Sequence, residues 1–589
     1  MFVHLHNHSH YSILEWLPKP KDYVAKAVDL WMKAVCLTDT SNIHGCHELY
    51  KEAHYAWIKA ILWTEIYIVS NLDEKVSHKL VLLAKSLKWY QNIINLTSKA
   101  SLDNPWRQAK IYFSDIEDLK GKVWDLEIVC LSGPISWEIP YYVLSWKSQE
   151  QIFERIEQYR NLFGKENYFL ELLYHDDIPK QNFVTDELIK ISKRFDIPVV
   201  ACNNCYYIEK QDKKTQDIIM AMGTGHEIEN PDRPTMMNWD YSFLTEQEMQ
   251  TIFWFMPEAL ENTQKIADMV DIKIETWWIL IPTFELPEEH KKIYEEALEI
   301  EKEDYKNLWI KKLTSDEWYL RYLSFAWLNW RFDAWLSRET IFKLVQKLDK
   351  PSLDKKLTET SPEELKALSL VYYSDEKKNI LKTLSQDLQD KIERLEYELV
   401  VVHEMWFDAY FLIVADYINW ARNNWVPVWP WRGSAAWSLM AYLSWITDIN
   451  PLPYKLLFER FLNPARVSMP DIDTDFADNW RDKVVEYCRN KYWADHVAQI
   501  CTFGTFAARA AVKDVWRVMW VSFAEMNQLA KLIPEKPWTK LKSALQDSLE
   551  FKEAYDSNPK YKEIVDNALK IEWNVRQIWV HACAVIIAP

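Results

Sequence analysis

Short apolar runs alternate with amphipathic stretches through residues 1–270 of the chain. Four of these runs have the length and composition of buried strands, at residues 34–38, 66–69, 80–83 and 198–201. Between them, residues 151–163 and 183–195 place apolar side chains at helical spacing. This alternation predicts an α/β domain whose functional residues lie at the ends of the strands.

After residue 270 the pattern is mainly helical. Residues 290–400 are charged and Leu-spaced, and within them residues 331–390 predict an inserted helical module with solvated faces. Four elements are predicted next: a helix over 410–423, a loop over 424–434, a helix over 435–444 and an acidic strand. Residues 503–570 return to helical periodicity.

The acidic strand is the strongest chemical motif, with the sequence Ser-Met-Pro-Asp-Ile-Asp-Thr-Asp-Phe at 468–476. Because alternate residues of a strand share a face, Asp471, Asp473 and Asp475 are predicted to lie side by side. Their mutual repulsion calls for a cation, and oxygen ligands suit Mg²⁺. Two such ions can activate a 3′-hydroxyl and stabilise a leaving oxygen. The alternative is a solvated acidic edge strand.

A second motif precedes the aspartates by about 40 residues. Arg432, Gly433 and Ser434 open a predicted helix, where free backbone N–H groups can cradle a phosphate and Arg432 can bind it bidentately. Arg460 and Arg466, between the two motifs, can neutralise a triphosphate. The alternative is an ordinary helix capped by Ser434.

Glycine and tryptophan occur in inverted proportions. The chain has 8 Gly and 32 Trp, whereas average usage would give roughly 41 Gly in a chain of this length. Tryptophans 429, 431 and 437 surround the cradle, where a backbone close to phosphate favours glycine. We therefore hypothesise that most of these tryptophans are glycines in the native protein, from a lineage that reads UGA as Gly.

Residues 415–517 closely resemble the alpha subunits of bacterial DNA polymerase III, the C-family replicative polymerases. The segments 426–443, 456–476 and 497–518 carry the resemblance, which extends over most of the chain outside about 331–390. It requires glycine in place of nine tryptophans: Trp406, Trp425, Trp429, Trp431, Trp437, Trp445, Trp516, Trp573 and Trp579. Trp420, by contrast, fits the family as tryptophan.

The resemblance implies a multidomain α/β and α protein. A PHP-type α/β barrel is expected over 1–270, a nucleotidyltransferase-like, polymerase beta-like palm over 271–500, a helical thumb over 501–572 and a return to the palm over 573–589. Asp471 and Asp473 are the expected catalytic, Mg²⁺-binding carboxylates of a template-directed DNA polymerase. Gly433 and Ser434 are expected to contact the incoming dNTP, and a sliding clamp and other replisome subunits are expected partners.

The family's third catalytic carboxylate belongs to an Asp-Phe-Leu-Gly-Leu motif that this sequence lacks. The fingers and the clamp-binding and duplex-binding modules would follow residue 589. The chain is therefore expected to be an N-terminal fragment that does not polymerise by itself.

The N-terminal sequence His-Leu-His-Asn-His-Ser-His at 4–10 resembles the PHP domain (polymerase and histidinol phosphatase). The resemblance implies metal ligands at His6, His8, Glu15 and Glu65, with His78 a further candidate and Asp39 nearby. Four expected ligands are replaced, by Thr40, Pro134, Asn204 and Tyr206. We interpret the domain as a scaffold that has lost metal-dependent exonuclease activity, with single-metal binding at His6, His8 and Glu65 left open. An active PHP-type phosphoesterase or 3′–5′ exonuclease is the alternative function.

A basic helix face contains Arg509, Lys513 and Arg517 at i, i+4 and i+8. In the family this region contacts the primer–template duplex through its phosphates; the alternative is a solvated face. The net charge of −17 argues against indiscriminate polyanion binding, although residues 421–520 carry 12 Lys and Arg against 10 Asp and Glu.

Eight scattered cysteines and the absence of a signal-like N-terminus or a long apolar run predict a cytoplasmic protein without a membrane partner. Cys202 and Cys205 have the spacing of a metal or redox pair but lack a second pair. Two further hypotheses are a non-catalytic interaction fragment and an aromatic-rich binding protein. The shortage of glycine argues against the last of these.

Overall fold

A computed structural model of the chain describes most of its residues. These are residues 2–69, 77–104, 108–123, 126–133, 137–175, 178–275, 280–304, 313–345, 364, 366, 373, 375–465, 469–519, 523–536 and 538–589. The predicted nucleotide-binding residue Arg466 lies outside them, as do Pro134, which replaces an expected ligand, and much of the predicted insertion at 331–390. None of the described helices is long and apolar enough to cross a membrane.

The chain folds into two compact units. The first contains Met1–Glu275 and Cys501–Trp579, and the second contains Thr276–Ile500 and Val580–Pro589. The domain boundaries expected from the sequence remain predictions. They group residues 501–572 as a separate thumb, whereas these residues pack within the first unit.

Seven strands of the first unit form one mixed sheet: β1 (Ala34–Leu37), β2 (Lys59–Val69), β3 (His78–Ala84), β4 (Lys110–Tyr112), β5 (Ile128–Leu131), β6 (Tyr168–Leu172) and β7 (Val199–Ala201). The order is β1-β2-β3-β5-β6-β7, with β4 also paired to β2. Only the two pairings of β3 are antiparallel. The four predicted strand runs lie in β1, β2, β3 and β7, and every residue of β1, β5, β6 and β7 is buried. Burial on both faces explains why these strands are apolar, with Glu171 of β6 as the one charged exception.

The N-terminal segment connects the two edges of this sheet. The carbonyl of Asn7 accepts the backbone N–H of Thr38, just after β1, at 2.7 Å. Asn7 also forms an isolated parallel bridge with Cys205, just after β7. The segment is therefore extended, as expected from its alternating histidines, but its pairing is limited to single bridges. It brings His6 and His8 to the carboxyl ends of parallel strands.

The helices of the first unit cover this sheet or pack together in the 501–579 segment. They are α1 (Pro20–Asp29), α2 (Cys46–Tyr55), α3 (Leu87–Asp103), α4 (Phe113–Gly121), α5 (Glu138–Leu144), α6 (Gln149–Phe163), α7 (Pro179–Phe195), α8 (Lys213–Thr224), α9 (Glu246–Ile252), α10 (Pro257–Met269), α19 (Ala508–Val518), α20 (Phe523–Lys531), α21 (Leu541–Asp547), α22 (Leu549–Ser557) and α23 (Pro559–Ile571). Helices α11 to α18 belong to the second unit. Strands β8 (Val497–Thr505) and β9 (Val575–Ile587) pair with each other in a separate two-stranded sheet.

The second unit is helical in its described part. Its helices are α11 (Glu288–Asp304), α12 (Ser315–Phe332), α13 (Arg338–Val345), α14 (Asp375–Thr383), α15 (Gln386–Glu404), α16 (Asp408–Asn423), α17 (Leu439–Leu443) and α18 (Arg481–Lys491). The single helix predicted over 435–444 is wrong: a 3₁₀ helix at Gly433–Trp437 is followed by α17. Ser438 is the reason, because its hydroxyl accepts the N–H of Ala441 at 3.0 Å and starts a new helix.

Buried charges anchor the described part of the predicted insertion. Lys377 on α14 and Arg321 on α12 both bind the carboxylate of Glu396 on α15, and all three residues are about 1% exposed. Arg321 also donates to the carbonyl of Val345 at 2.9 Å. The prediction of a module with solvated faces is thus only partly right, because α13 and α14 each contribute buried residues to the core of this unit.

We expect Glu396→Ala to lower the free energy of unfolding by about 3–5 kcal/mol, because it leaves Arg321 and Lys377 buried without their anion. Glu393→Ala, on the same helix but half-buried, should change it by less than about 0.5 kcal/mol. Urea unfolding of both variants provides the measurement. Equal effects of the two substitutions would contradict this account of the ion pair.

Among the described residues, ten tryptophans have a left-handed backbone, with φ between +52° and +67°. They are Trp31, Trp57, Trp146, Trp335, Trp406, Trp425, Trp445, Trp493, Trp538 and Trp573. This conformation costs a residue with a side chain about 1–2 kcal/mol, and glycine adopts it freely. Four of the ten, Trp406, Trp425, Trp445 and Trp573, are among the positions where the family resemblance requires glycine.

Most of these tryptophans stand where helices end. Trp425 lies two residues after the last residue of α16, and its N–H donates to the carbonyl of Arg422 at 3.2 Å. The next N–H, of Val426, donates to the carbonyl of Ala421 at 2.9 Å. This pair of bonds is the Schellman motif, whose left-handed residue is usually glycine. The same pair of bonds surrounds Trp31, Trp57, Trp146, Trp406 and Trp445.

Other tryptophans have poorly satisfied side chains. The indole N–H groups of Trp63 and Trp516 are buried without a hydrogen-bond acceptor among the described residues. Trp420 differs from them, because it lies inside α16 and stacks on Tyr487 with the ring centroids 4.4 Å apart. This arrangement agrees with its interpretation as a native tryptophan.

We expect the ten left-handed positions to be encoded by UGA, and nucleotide sequencing of the gene checks this directly. In the chain as printed, Trp425→Gly should raise the free energy of unfolding by about 1 kcal/mol by relieving the left-handed strain. Trp420→Gly should lower it, because it removes a stacked ring and places glycine inside a helix. UGG codons at the ten positions would rule out the glycine hypothesis.

Candidate functional site

The acidic segment of the second unit is extended, although it does not form the predicted strand. Its ladder is limited to one bridge, between Val428 and Phe476. Exposed and buried side chains nevertheless alternate as predicted. Asp471 and Asp473 are exposed, while Ile472 between them is 9% exposed and packs in the core. The two carboxylates expected to be catalytic therefore face solvent on the same side of the chain.

The predicted phosphate cradle lies directly against these aspartates. The guanidinium of Arg432 binds Asp475 with an Nη1–Oδ1 distance of 2.6 Å and lies 3.7 Å from Asp473 through Nε. Gly433 has φ +67°, and a Cβ at this position would lie 3.6 Å from Oδ2 of Asp473. The N–H of Trp429 also donates to the carbonyl of Asp475 at 2.9 Å. Two motifs about 40 residues apart thus form one exposed site.

A buried glutamate fixes the chain that leaves the cradle. Glu398 on α15 is 0% exposed and accepts the N–H groups of Leu439 and Met440 at 3.0 and 2.9 Å. It also accepts the hydroxyl of Ser438 at 2.7 Å. Arg394 neutralises Glu398 at 2.6 Å and donates to the carbonyl of Trp437 at 3.2 Å. Glu398 therefore occupies the positive end of α17 that follows the cradle.

Asp448 fixes the other side of the cradle. Its N–H donates to the carbonyl of Pro430 at 2.8 Å. Its carboxylate binds Arg422 at 2.9 Å and Arg331 at 3.2 Å. These contacts hold the loop before Arg432 against α12 and α16.

The remaining predicted nucleotide-binding residues are placed as follows. Ser434 is half-buried in the 3₁₀ helix, and Arg460 is exposed with its guanidinium 5.3 Å from the ring of Trp437. Arg466 is outside the described residues. The indole of Trp431 donates to the carbonyl of Gly433 at 3.2 Å, so its ring lies against the backbone of the predicted cradle.

The carboxylates of the acidic segment have the donor type that suits Mg²⁺. Among the described residues, however, Asp471, Asp473 and Asp475 do not converge into a three-ligand cluster. Arg432 supplies the positive charge beside Asp473 and Asp475. Burial, together with the charges of Asp471 and Asp473, raises the pKa of Tyr410 to about 12, so this hydroxyl keeps its proton beside the aspartates.

The first unit holds a fully buried cluster of His6, His8 and Glu65. The Nε2 atoms of the two histidines lie 3.1 Å apart, and each lies 3.3 Å from Oε2 of Glu65. Nδ1 of His6 lies 2.8 Å from Oε1 of Glu171, which fixes the orientation of the ring. Glu171 and His6 also group with Cys202, the first cysteine of the Cys-x-x-Cys pair.

The pKa values of His6 and His8 respond differently to their surroundings. Burial alone would lower the pKa of His6, but the charges of Glu171 and Glu65 raise it to about 9. Burial lowers the pKa of His8 to about 4, against the opposing effect of Glu65. The pKa values of the two histidines are therefore shifted in opposite directions.

Lys79 supplies a second cation to this cluster. Its ammonium binds Oε1 of Glu65. Although burial opposes ionisation of Glu65, His8 and Lys79 hold the pKa of this carboxyl well below its usual range. Thr40, which stands where a histidine was expected, donates its hydroxyl to Oε1 of Glu65 at 3.2 Å.

Several expected metal ligands do not reach the cluster. Glu15 is exposed and belongs to neither group of converging donors. Asp39 accepts the N–H of Ser9 at 2.7 Å and the hydroxyls of Ser9 and Ser12 at 2.8 Å each, which occupies its carboxylate.

The further candidate His78 and the replaced positions Asn204 and Tyr206 also lie outside both groups of converging donors. His78 lies beside the ring of Tyr141, with the centroids 5.6 Å apart. Tyr206 is buried, and Asn204 has a left-handed backbone.

The basic helix face on α19 is only partly free. Arg509 donates to the carbonyl of Ile533 at 2.8 Å and pairs with Glu535. Lys513 and Arg517 are exposed, and Arg517 lies 3.2 Å from Asp514. The predicted row of three cations therefore presents two to solvent.

Three functional side chains escaped the sequence analysis: Lys79, Glu171 and Glu398. Each is a charged residue within an otherwise apolar strand or buried helix face. Such residues are rarely buried without a partner of opposite charge. That signal was present in the sequence, but it identifies neither the partner nor the site.

Both parts of the chain match known families. Residues 4–175 match the model of the PHP domain, and residues 365–589 match the model of the bacterial DNA polymerase III alpha NTPase domain. The chain is 34% identical over 596 residues to DNA polymerase III subunit alpha of Borreliella burgdorferi, covering 100% of this chain and 45% of that protein. The proteins of the same name from Treponema pallidum and Thermus aquaticus are 32% and 33% identical, again over 100% of this chain and over 44% and 47% of their own lengths.

The chain thus spans less than half the length of these relatives. The similarity nevertheless runs through both units, from the histidine-rich N-terminus to the acidic segment. The chain belongs to the family of the bacterial DNA polymerase III alpha subunits.

Proposed function

We propose that this chain forms the PHP and palm parts of a replicative, template-directed DNA polymerase. In the proposed reaction a primer 3′-hydroxyl attacks the α-phosphorus of a dNTP, the bond to the β-phosphate oxygen breaks, and pyrophosphate leaves. The observation that carries the proposal is the position of Arg432, 3.7 Å from Asp473, with Gly433 next to it in the chain. It joins a cradle for phosphate to exposed carboxylates, which is the pairing that nucleotidyl transfer needs.

In this proposal Arg432, Gly433 and Ser434 bind the triphosphate, helped by Arg460 and Arg466. Arg432 is exposed and its pairs with Asp473 and Asp475 face solvent, so it can exchange a carboxylate for a phosphate at little cost. The guanidinium then neutralises charge that builds up on the departing pyrophosphate.

Asp471 and Asp473 would hold Mg²⁺ in this site. Their exposure and their oxygen donors fit an ion that keeps several water and phosphate ligands. Bound there, the metal would supply Lewis-acid stabilisation of phosphate charge.

Lys513 and Arg517 are the exposed cations proposed to contact the primer–template backbone, with residues 501–572 acting as the thumb. Phosphate contacts of this kind give affinity that does not depend on sequence. The sliding clamp and other replisome subunits are proposed partners of the whole protein. All eight cysteines are free, which supports a cytoplasmic location.

We expect Asp473→Asn to lower kcat for dNTP incorporation by about 10²- to 10³-fold in the full-length gene product. The reason is the loss of charge that would hold the metal and the transferring phosphate. Primer extension with a single dNTP gives the measurement, and Asp478→Asn, an exposed carboxylate just beyond the segment, is the control. Equal rates for the Asp473→Asn variant and the unchanged protein would contradict the proposal.

Glu398→Ala tests whether the cradle depends on its support. It leaves two backbone N–H groups and Arg394 without their acceptor, so we expect the KM for dNTP to rise about tenfold, a change of about 1.4 kcal/mol. Asp390→Ala, on the exposed face of the same helix, should leave KM unchanged. A folded Glu398→Ala variant with an unaltered KM would exclude a positioning role.

A further inference from the structure

The His6–His8–Glu65 cluster has the donors of a metal site, yet it already contains a fixed cation. Strands β2 and β3 are antiparallel, with Glu65 opposite Val81 and Tyr67 opposite Lys79. Glu65 and Lys79 therefore lie diagonally on one face of the sheet, within reach of each other. The side chains of Glu65 and Lys79 are 4% and 20% exposed, so the ion pair is largely shielded from water.

Both oxygens of Glu65 are occupied by groups of the protein. Oε1 accepts the Lys79 ammonium and the hydroxyl of Thr40. Oε2 faces His6 and His8 at 3.3 Å each. A metal ion bound by these three residues would lie close to a buried ammonium of like charge.

We propose that the Lys79 ammonium replaces the metal cation in this PHP domain, so that the cluster is a permanent ion network. Lys79 balances the charge of Glu65, and Thr40 completes its hydrogen bonds. An ammonium has no vacant coordination position, so it cannot bind and acidify a water molecule as a metal ion does. The site consequently holds the fold together and has no hydrolytic chemistry. This inference does not depend on the polymerase proposal.

The same contacts argue against the alternative function of a PHP-type phosphoesterase. That chemistry needs a metal-activated nucleophile, and the residues that would bind the metal are instead neutralised by Lys79. The replacement of expected ligands by Thr40, Asn204 and Tyr206 also disfavours metal binding. The replacement by lysine adds a positive reason for the absence of metal, beyond the loss of donors.

Metal content and thermal unfolding test the proposal on the complete chain. The unchanged protein, purified without chelator, should contain well under one zinc or manganese ion per chain by elemental analysis. In a chain that carries Asp471→Asn and Asp473→Asn, which removes the proposed Mg²⁺ ligands, the unfolding temperature should be the same in EDTA and in excess Zn²⁺ or Mn²⁺. One metal ion per chain in that background, or its stabilisation by either metal, would overturn the proposal.

Lys79→Met removes the internal cation while keeping the length of the side chain. In EDTA this variant should unfold at a lower temperature than the unchanged protein. Free zinc at a hundredfold excess over its Kd should raise that temperature by about 5 °C. Lys85→Met is the matched control, because Lys85 donates to the amide oxygen of Asn167 rather than to a carboxylate, and it should not respond to zinc.

Two further outcomes decide the matter. A folded Lys79→Met variant that gains no response to zinc would show that the ammonium does not occupy the place of a metal. If Lys79→Met does not fold, Lys79→Gln and Lys79→Arg replace it. The Gln variant should gain the response to zinc and the Arg variant should lack it, and the opposite pattern would refute the proposal.

Discussion

A carboxylate in the interior of a protein must be surrounded by cations or by N–H and O–H donors, because burial of an unpaired charge is very costly. Three glutamates of this chain show the constraint at work. Glu65 is paired with Lys79, Glu396 with Arg321 and Lys377, and Glu398 with Arg394. Glu65 and Lys79 lie on neighbouring strands, Glu396 joins three helices, and Glu398 and Arg394 are one turn apart on α15. Each pair lies at a place on which a candidate site or an inserted segment depends.

The same constraint separates the two acidic sites by their exposure. Asp471 and Asp473 face solvent, so their charges are partly satisfied by water and remain available to a cation or a substrate. The oxygens of Glu65 are buried and fully engaged. One fold therefore holds an acidic site that stays open and a histidine site that is closed by its own lysine. Only at the histidine site do we propose that a cation of the protein, the ammonium of Lys79, stands in place of a bound metal ion.

Local patterns predicted much of the fold. The apolar runs in β1, β2, β3 and β7 are short and bounded by polar residues, so their strand character was evident. The single helix over 435–444 was mispredicted because Ser438 competes locally for the backbone and begins a new helix. The acidic segment was predicted as a strand but forms only one bridge. Alternating polar and apolar residues specify which side chains share a face, but they do not specify a neighbouring strand for hydrogen bonding.

The candidate site was less accessible to sequence reasoning. The sequence links Arg432 to the aspartates as a cradle about 40 residues before an acidic segment, and the family resemblance assigns both to one site. The contacts of Glu65 with Lys79, and of Glu398 with α17, depend on strand register and on helix packing across tens of residues. Such pairings are properties of the folded chain. The sequence shows only that a charged residue has been placed among apolar ones.

The left-handed tryptophans have a practical consequence for work in solution. Eight of the ten are exposed, several of them by more than 80%, and indole is the main source of protein absorbance near 280 nm. A chain with glycine at these positions absorbs far less light for the same mass. Protein concentrations calculated with tryptophan at these positions would then be too low, and every ratio of bound metal or ligand to protein would be too high.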